Sequence, residues 1–254
     1  LSRILVETEH GLSIVEQTVS VPEAVSRLFN EILSNASDNA DRSRKAGIPI
    51  GKVEIFVDHQ TVIIRNGGRP IPIEIHPKEG VYAPELIFGH LLTSSNYNKE
   101  VDRTGCGRIG YGAKLVNIFS KAFQVRVGDA ERNLEYLQQW SDNKSICYPP
   151  IITEYHGESY VEISYQLDFR RFGYEEYPDE AIALFAKYAA DTSLMMKIPV
   201  VFNGKEFNFG NIKDYAKLLF GTDNNMLVIE LPGAKEDDLP SELCLVDTPN
   251  NAVV

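Results

Sequence analysis

The sequence has few of the residues that build metal clusters, disulfide frameworks or membrane spans. Its three cysteines, Cys106, Cys147 and Cys244, are far apart and never spaced as CxxC, so we expect free thiols in a reducing compartment. The five histidines show no HxxxH or mixed His/Cys spacing, which argues against a zinc site. No segment approaches the run of about 20 apolar residues that a transmembrane helix needs.

Basic residues are also scarce. The 25 Lys and Arg face 36 Asp and Glu, giving a net charge of −11. Because phosphate contacts require cations, we expect that most of this surface does not lie on DNA, which leaves open a place within a larger DNA-binding protein. The N-terminus lacks the basic start and long apolar run of a signal peptide. The first residue is Leu rather than Met, so we expect a fragment of a longer protein.

Helical and strand periodicities alternate along the chain. Ser20 to Glu23 resembles a capping box and predicts a helix that ends between Asn39 and Arg44. Apolar alternation from Val53 to Ile64 around a polar turn predicts a β-hairpin. Four further helices are predicted over 83–92, 113–123, 179–193 and 212–221, and strands over 122–129, 133–140, 145–155, 160–168, 196–207, 225–233 and 241–249. The pattern predicts one mainly antiparallel sheet covered by helices on one face.

A polar, glycine-rich segment spans residues 93–112. Gly105 to Gly110 satisfies GxGxxG, but no buried strand precedes it, and no GK[ST] occurs, so neither a dinucleotide fingerprint nor a P-loop is predicted. Glycines ahead of a helix that starts near Ala113 still allow backbone N–H groups to converge on an anion. Arg108 and Lys114 add positive charge. The alternative is a flexible surface loop.

The first predicted helix carries short polar side chains where lysines and arginines are more usual. At about 100° per residue, three of them border the apolar stripe and the last intrudes into it. They are Glu31, Asn35, Asp38 and Asn39. A half-buried polar group left unpaired costs about 1–3 kcal/mol, so the pattern suits the wall of a cavity. There a carboxylate can take a proton from water and amide oxygens can bind Mg²⁺. The alternative is an internal network or a contact with Arg42 or Arg65.

Four segments together resemble a known family. They read "EILSNASDN", "NGGRPIPIEIH", "PELIFGHLLTSSNY" and "GRIGYGAKLVNIFS", and they are similar to motifs in the ATPase region of eukaryotic-type, type IIA DNA topoisomerases. The resemblance covers most of the chain from about Ser20 to Phe220. It implies an α+β Bergerat (GHKL) fold: a two-layer α/β sandwich whose mostly antiparallel, mixed sheet is covered by helices on one face. Residues 1–221 would form this ATP-binding domain, and residues 222–254 the beginning of a transducer domain.

The resemblance also implies roles for individual residues. Glu31 would be the general base, Asn35 the Mg²⁺ ligand and Asn39 a nucleotide contact, while Asn66 would contact the adenine amino group. The remaining ATP contacts would be Thr93, Ser94, Ser95, Asn96, Arg108, Gly110, Tyr111, Gly112 and Lys114. ATP and Mg²⁺ are thus the expected ligands. In the full-length protein, a homodimer would close around DNA; no membrane association is implied.

Several features depart from the family pattern. Pro70 replaces an expected glycine, Ile109 replaces an asparagine, and the segment before Gly107 is one residue longer. Such divergence fits a distant member, such as one encoded by a large DNA virus. The implied location is intracellular: the nucleus for a cellular protein, and a replication site in the host cytoplasm for a viral one.

Two alternatives follow from these departures and from the wider superfamily. One is an ATP-dependent clamp or chaperone of the GHKL type that cleaves no DNA. The other is an interaction module whose ATP site is broken at Pro70 and Ile109. Neither the family's N-terminal strap nor its cleavage domain is visible in the sequence, so we expect a mostly monomeric piece that does not cut DNA.

Overall fold

The computed structural model describes residues 1–90, 112–221, 224–231 and 241–247. The first two strands form a hairpin, β1 (Ser2–Thr8) and β2 (Gly11–Gln17). The main sheet consists of β3 (Val53–Val57), β4 (Val62–Gly67), β5 (Ser120–Asp129), β6 (Leu134–Ser141), β7 (Ile146–Cys147), β8 (Ile151–Glu154), β9 (Tyr160–Leu167), β10 (Val200–Phe202) and β11 (Lys205–Phe207). A last hairpin contains β12 (Met226–Leu231) and β13 (Ser241–Val246). The helices are α1 (Glu23–Lys45), α2 (Ala83–Gly89), α3 (Gly112–Ile118), α4 (Asp179–Met196) and α5 (Ile212–Phe220).

The main sheet is mixed. Its strand order is β11-β10-β3-β4-β9-β5-β6, and both β7 and β8 pair with β6. Every neighbouring pair is antiparallel except β3 and β10, which run parallel with Val53 opposite Val200. Beyond this pair, the Asn203 side chain donates to the carbonyl of Val57 and accepts from its N–H, both at 2.8 Å. The mostly antiparallel, mixed sheet agrees with the predicted fold class.

One face of the sheet forms the core. In β4, Val62, Ile64 and Asn66 are buried while the residues between them are partly exposed, which is the period-two pattern of a strand with one covered face. The helices α1 and α4 pack together above this face, and the rings of Phe29 and Phe185 stack with centroids 4.1 Å apart. The predicted two-layer sandwich is confirmed.

Helix α1 differs from its prediction at both ends. It begins at Glu23 with Pro22 at the N-cap, and no side chain caps it, so the predicted capping box at Ser20 is wrong. The helix extends to Lys45 and ends in a Schellman motif. Gly47, at φ +68°, donates to the Arg44 carbonyl, and the Ile48 N–H donates to the Ser43 carbonyl at 2.9 Å. Glycine is favoured at this position because the left-handed conformation strains other residues.

Three other segments depart from expectation. Helix α3 ends at Ile118 instead of continuing to 123, because Phe123 already belongs to the inward alternation of β5. The predicted strand over 145–155 is divided into β7 and β8, with Pro149 and Pro150 between them; proline cannot donate to a sheet ladder. The hairpin of β1 and β2, which packs on α4 and α5, has no counterpart in the sequence prediction.

The last hairpin packs against α5, and Glu242 links it to two parts of the domain. Glu242 of β13 accepts a hydrogen bond from the Ile212 N–H at 2.9 Å and pairs with Lys197 Nζ at 2.7 Å. Cys147 and Cys244 are free, as predicted; Cys106 lies outside the described residues. Among the described helices, none is both long and apolar enough to cross a membrane.

Candidate functional site

The polar side of α1 faces the end of β4 and the start of α3, and α1 packs against both. Glu31 is exposed, Asn35 and Asp38 are half-buried, and Asn39 is only 9% exposed. The prediction that Asn39 intrudes into the buried stripe is therefore confirmed. One polar side chain per turn thus extends along α1 from the surface into the interior.

The alternative of a contact with Arg65 is not supported. Arg65 belongs to the opposite face of the sheet, where its guanidinium lies 3.7 Å above the ring of Tyr160 and 3.4 Å from Glu162 Oε2. Arg42 is exposed on α1. The short polar residues of α1 therefore do not serve to bury Arg65.

At the inner end of the site, two amides converge on one carbonyl. The Nδ2 atoms of Asn66 and Asn39 lie 2.9 and 3.5 Å from the Gly67 oxygen. A carbonyl only accepts hydrogen bonds, so the nitrogen of each amide faces it. The Oδ1 atom of Asn66 is consequently oriented as an acceptor away from Gly67. An amide oxygen can accept a hydrogen bond from an amino group.

The turn after β4 approaches its neighbours too closely for any side chain. A Cβ atom on Gly67 would lie 2.5 Å from the Ile50 carbonyl oxygen, and one on Gly68 would lie 2.5 Å from Ser43 Oγ. Gly68 also has a φ of +99°, which L-residues rarely adopt. The two close approaches are thus made by Gly67 and Gly68, and Pro70, which replaces an expected glycine, lies after both of them.

At the outer end, α1 and α3 meet at Glu31 and Gly112. A Cβ atom on Gly112 would lie 1.8 Å from Glu31 Oε2 and 2.6 Å from Glu31 Cδ, so a larger residue at this position would force the carboxyl group or α3 to move. The backbone of Gly112 therefore lies directly against the carboxylate predicted to act as a base. Sequence analysis predicted both residues for the site, and the structure brings them together.

Lys114 occupies the first turn of α3 and is only 2% exposed. Burial lowers the pKa of its ammonium group, and the charge of Lys144 lowers it further. A buried cation in this position can interact strongly with an anion, because the local dielectric constant is low. Lys114 follows Gly112 by two residues on α3, and its role at a phosphate stays a prediction.

Two buried residues near the site were missed by the sequence analysis. Ser43, fully buried, accepts a hydrogen bond from the Arg69 N–H at 2.9 Å and donates to the Asn39 carbonyl at 2.7 Å. Asn117, also fully buried, donates to the Phe88 carbonyl at 3.2 Å and so ties α3 to α2. Ser43 continues the four-residue step of Glu31, Asn35 and Asn39, and that spacing was the available signal.

The other predicted ATP contacts lie outside the described residues: Thr93, Ser94, Ser95, Asn96, Arg108, Gly110 and Tyr111. In the part of the chain that is described, no group of three or more His, Cys, Asp or Glu residues could hold a metal ion.

Comparison with known proteins identifies the relatives of the chain. No family model matches. DNA topoisomerase 2 of Saccharomyces cerevisiae is 37% identical over 234 residues, which are 91% of this chain and 16% of that protein. The chain thus spans about one sixth of the length of this curated relative.

Solved structures give the same result for the fold. The ATPase region of Saccharomyces cerevisiae topoisomerase II superimposes with a TM-score of 0.80 at 37% identity, covering 86% of this chain and 57% of that one. The 43K ATPase domain of Thermus thermophilus gyrase B superimposes with a TM-score of 0.63 at 20% identity, over 84% and 54% of the two chains, which shows a shared fold alone. By sequence and by fold, the chain therefore belongs to the type II DNA topoisomerase family, and it has the GHKL fold of the family's ATPase region.

Proposed function

We propose that this chain binds and hydrolyses ATP as the ATPase region of a type II DNA topoisomerase. The observation that carries the proposal is the contact between Glu31 and Gly112, which places a carboxylate against the first residue of α3. Asn35 and Asn39 continue the same side of α1 inward, and Asn66 lies at the far end. The arrangement offers a base at one end and an amide acceptor at the other.

Glu31 is the general base in this proposal. Its carboxylate accepts a proton from the water that attacks the γ-phosphate, which makes the water a better nucleophile. Gly112 restricts the positions available to that carboxylate, and the Lys114 ammonium offsets negative charge on the phosphates. Three groups on two packed helices thus serve one reaction centre.

The residues present also fit a magnesium ion. Mg²⁺ usually takes only one or two ligands from the protein and the rest from phosphate oxygens and water. The amide oxygen of Asn35, half-buried one turn from Glu31, is suited to be such a ligand. When bound, the ion would neutralise charge on the triphosphate. The chain's own contribution is to hold Asn35 on a rigid helix.

Asn66 is proposed to select adenine. Its Oδ1 atom is oriented as an acceptor because Nδ2 is bonded to the Gly67 carbonyl, so it can receive a hydrogen bond from the 6-amino group. Guanine presents a carbonyl oxygen at that position, and two acceptors facing each other repel. Asn39 would contact the nucleotide beside the metal.

Further ATP contacts are proposed for residues outside the described part of the chain. Their roles rest on the match between their motifs and those of the family. Thr93, Ser94, Ser95 and Asn96 would contact the ribose and inner phosphate, and Arg108, Gly110 and Tyr111 the β- and γ-phosphates.

The proposed domain division places residues 1–221 in the ATP-binding domain and residues 222–254 at the beginning of a transducer domain. In support, β12 and β13 form a sheet separate from the main one. This hairpin exposes large apolar side chains: Leu227, Ile229, Leu231, Leu243 and Leu245. A surface of this kind is typical of an interface with further protein.

In the full-length protein, ATP binding would close two subunits as a gate around a DNA duplex, and hydrolysis would reopen it. The expected result is a change in DNA topology. Relaxation of supercoiled DNA by the full-length protein tests this step. A GHKL clamp or chaperone would hydrolyse ATP and leave the linking number unchanged.

The decisive experiment on the site is Glu31→Gln. We expect ATP turnover by the full-length protein to fall by about 100-fold or more, because the amide cannot accept the proton. Calorimetric binding of a non-hydrolysable ATP analogue with Mg²⁺ should persist. The matched control is Glu23→Gln, which removes an exposed carboxylate of the same helix that pairs with Arg27 at 2.6 Å. Turnover near the wild-type rate in Glu31→Gln would overturn the assignment of the base.

A further inference from the structure

The hydroxyl of Ser43 joins two separate parts of the proposed site. It donates to the Asn39 carbonyl at 2.7 Å within α1 and accepts from the Arg69 N–H at 2.9 Å in the turn after β4. One hydroxyl therefore uses its proton on the helix and a lone pair on the turn. The side chain is fully buried, so bulk water cannot take over either hydrogen bond.

These bonds close a ring that includes the Asn39 amide, and the Asn66 amide is attached to that ring. From Ser43 the ring continues through Asn39, whose Nδ2 atom lies 3.5 Å from the Gly67 oxygen, and returns through the turn to Arg69. The same Gly67 oxygen accepts from Asn66 Nδ2 at 2.9 Å. The position of this carbonyl thus decides which atom of Asn66 points away from it.

The turn has little space in which to move while the ring is intact. Gly68 lies so close to Ser43 that a Cβ atom there would be 2.5 Å from the hydroxyl oxygen. The contact is one of direct packing as well as hydrogen bonding. Loss of the hydroxyl would free the Arg69 N–H and open space beside Gly68.

We propose that Ser43 is a positioning residue that sets the preference of the site for adenine over guanine. This inference rests on the proposed function of the site, and specifically on Asn66 as the group that contacts the base. With Ser43 present, the Gly67 carbonyl holds Nδ2 of Asn66 and Oδ1 accepts from the adenine amino group. Without the hydroxyl, the turn can shift and the Asn66 amide can rotate, which presents Nδ2 to the O6 atom of guanine.

The test compares ATP and GTP binding to Ser43→Ala and to the wild-type chain by calorimetry with Mg²⁺. We expect the ratio of the GTP dissociation constant to the ATP dissociation constant to fall by about tenfold in Ser43→Ala. This factor corresponds to one hydrogen bond of ordinary strength. A merely structural role for Ser43 would weaken both nucleotides equally and leave the ratio unchanged, and that result would overturn the inference.

The chain offers a matched control on the same helix. Ser37 is half-buried and donates to the Leu33 carbonyl at 3.1 Å, the same one-turn bond that Ser43 makes, but it has no bond to the turn after β4. Ser37→Ala should therefore leave the ATP-to-GTP ratio at its wild-type value. An equal drop in both alanine variants would also contradict the inference.

A second variant protects the test against loss of folding. Ser43→Cys nearly preserves the volume and replaces a strong hydrogen-bonding group with a weak one, so its ratio should fall between those of the wild type and Ser43→Ala. A wild-type ratio in a folded Ser43→Cys variant counts against the inference. If the wild-type chain binds neither nucleotide, the proposed function fails; if it prefers ATP and the serine variants share that preference, only this inference fails.

Discussion

The two ends of the proposed site are built by different means. At the end of the site proposed to bind adenine, three hydrogen bonds that the protein makes by itself tie Asn39, Asn66 and Ser43 to the end of β4 and the turn that follows it. At the phosphate end, the described contact between Glu31 and Gly112 is one of packing between two helices. Hydrogen bonds fix the direction in which a group points, whereas packing fixes how close two backbones come. The adenine end is thus suited to discriminating between nucleotide bases, and the phosphate end to positioning a reactive group.

The largest expected effect comes from disturbing the phosphate end. In Gly112→Ala the new methyl group would lie 1.8 Å from Glu31 Oε2, so the carboxylate or α3 must move. We expect ATP turnover to fall by about 100-fold, the typical cost of a misplacement of about 1 Å. The fold should persist, as measured by circular dichroism, because alanine is favoured over glycine in helices.

Gly210→Ala is the control for this variant. A Cβ atom there would meet nothing within 4 Å, so turnover should be unchanged. Normal turnover in Gly112→Ala would show that the contact with Glu31 has no bearing on catalysis.

Asn66→Ala removes the side chain proposed to contact adenine. Removing the acceptor should weaken ATP binding by about tenfold and reduce the preference over GTP. Asn66→Asp keeps an acceptor for the base but loses the bond to the Gly67 carbonyl, so it should retain the preference for ATP and lose less affinity than Asn66→Ala, as measured by calorimetry. Equal behaviour of the two variants would argue against a hydrogen bond from residue 66 to the base.

Stability and ATP affinity should both depend on pH through Lys114 at the phosphate end. Burial and Lys144 lower its pKa, so its charge should be lost on raising the pH before that of an ordinary lysine, whose pKa is about 10.4. Between the lowered value and about 10.4, the unfolded chain binds more protons than the folded one, so stability should rise with pH in this window. ATP affinity should fall over the same window.

Lys114→Met isolates this effect. Urea unfolding and calorimetry across the alkaline range should show, for the wild type relative to the variant, a gain in unfolding free energy and a loss of ATP affinity. Parallel pH profiles for the two proteins would contradict the assignment of the titration to Lys114.

The smallest effect is expected on the uncovered face of the sheet. Glu162→Gln breaks the 3.4 Å pair with Arg65, and partly exposed ion pairs contribute about 0–1 kcal/mol. Unfolding free energy should change by no more than that, and nucleotide affinity should not change. A marked loss of affinity would mean that the two faces of the sheet are coupled.

The sequence predicted the features that depend on local periodicity. The apolar stripe of α1, the intrusion of Asn39 and the hairpin of β3 and β4 all follow from spacing along a helix or strand. That Glu31 and Gly112 belong to one site was expected only through the resemblance, because no spacing rule brings residues so far apart in sequence together.

Other features could not be predicted because their cause is not local. In β1, the adjacent residues Ile4 and Leu5 are both buried, so no alternation identifies the strand. The end of α3 could not be predicted, because the apolar residues up to Phe123 fit both helical and strand spacing. Ser43 is an ordinary helix residue by pattern, and its partner Arg69 lies across the fold on another element.

The parallel pairing of β3 with β10 has a consequence for how the chain acquires its structure. One neighbour of β3 in the sheet is β4, which follows it closely along the chain. The other neighbour is β10, which comes only after α4. Such distant pairing slows folding, since a long loop must close before the contact forms. During synthesis, β3 would present an open edge that can capture other strands. Until β10 and Asn203 have been synthesised, the edge of β3 is therefore a site at which aggregation can begin.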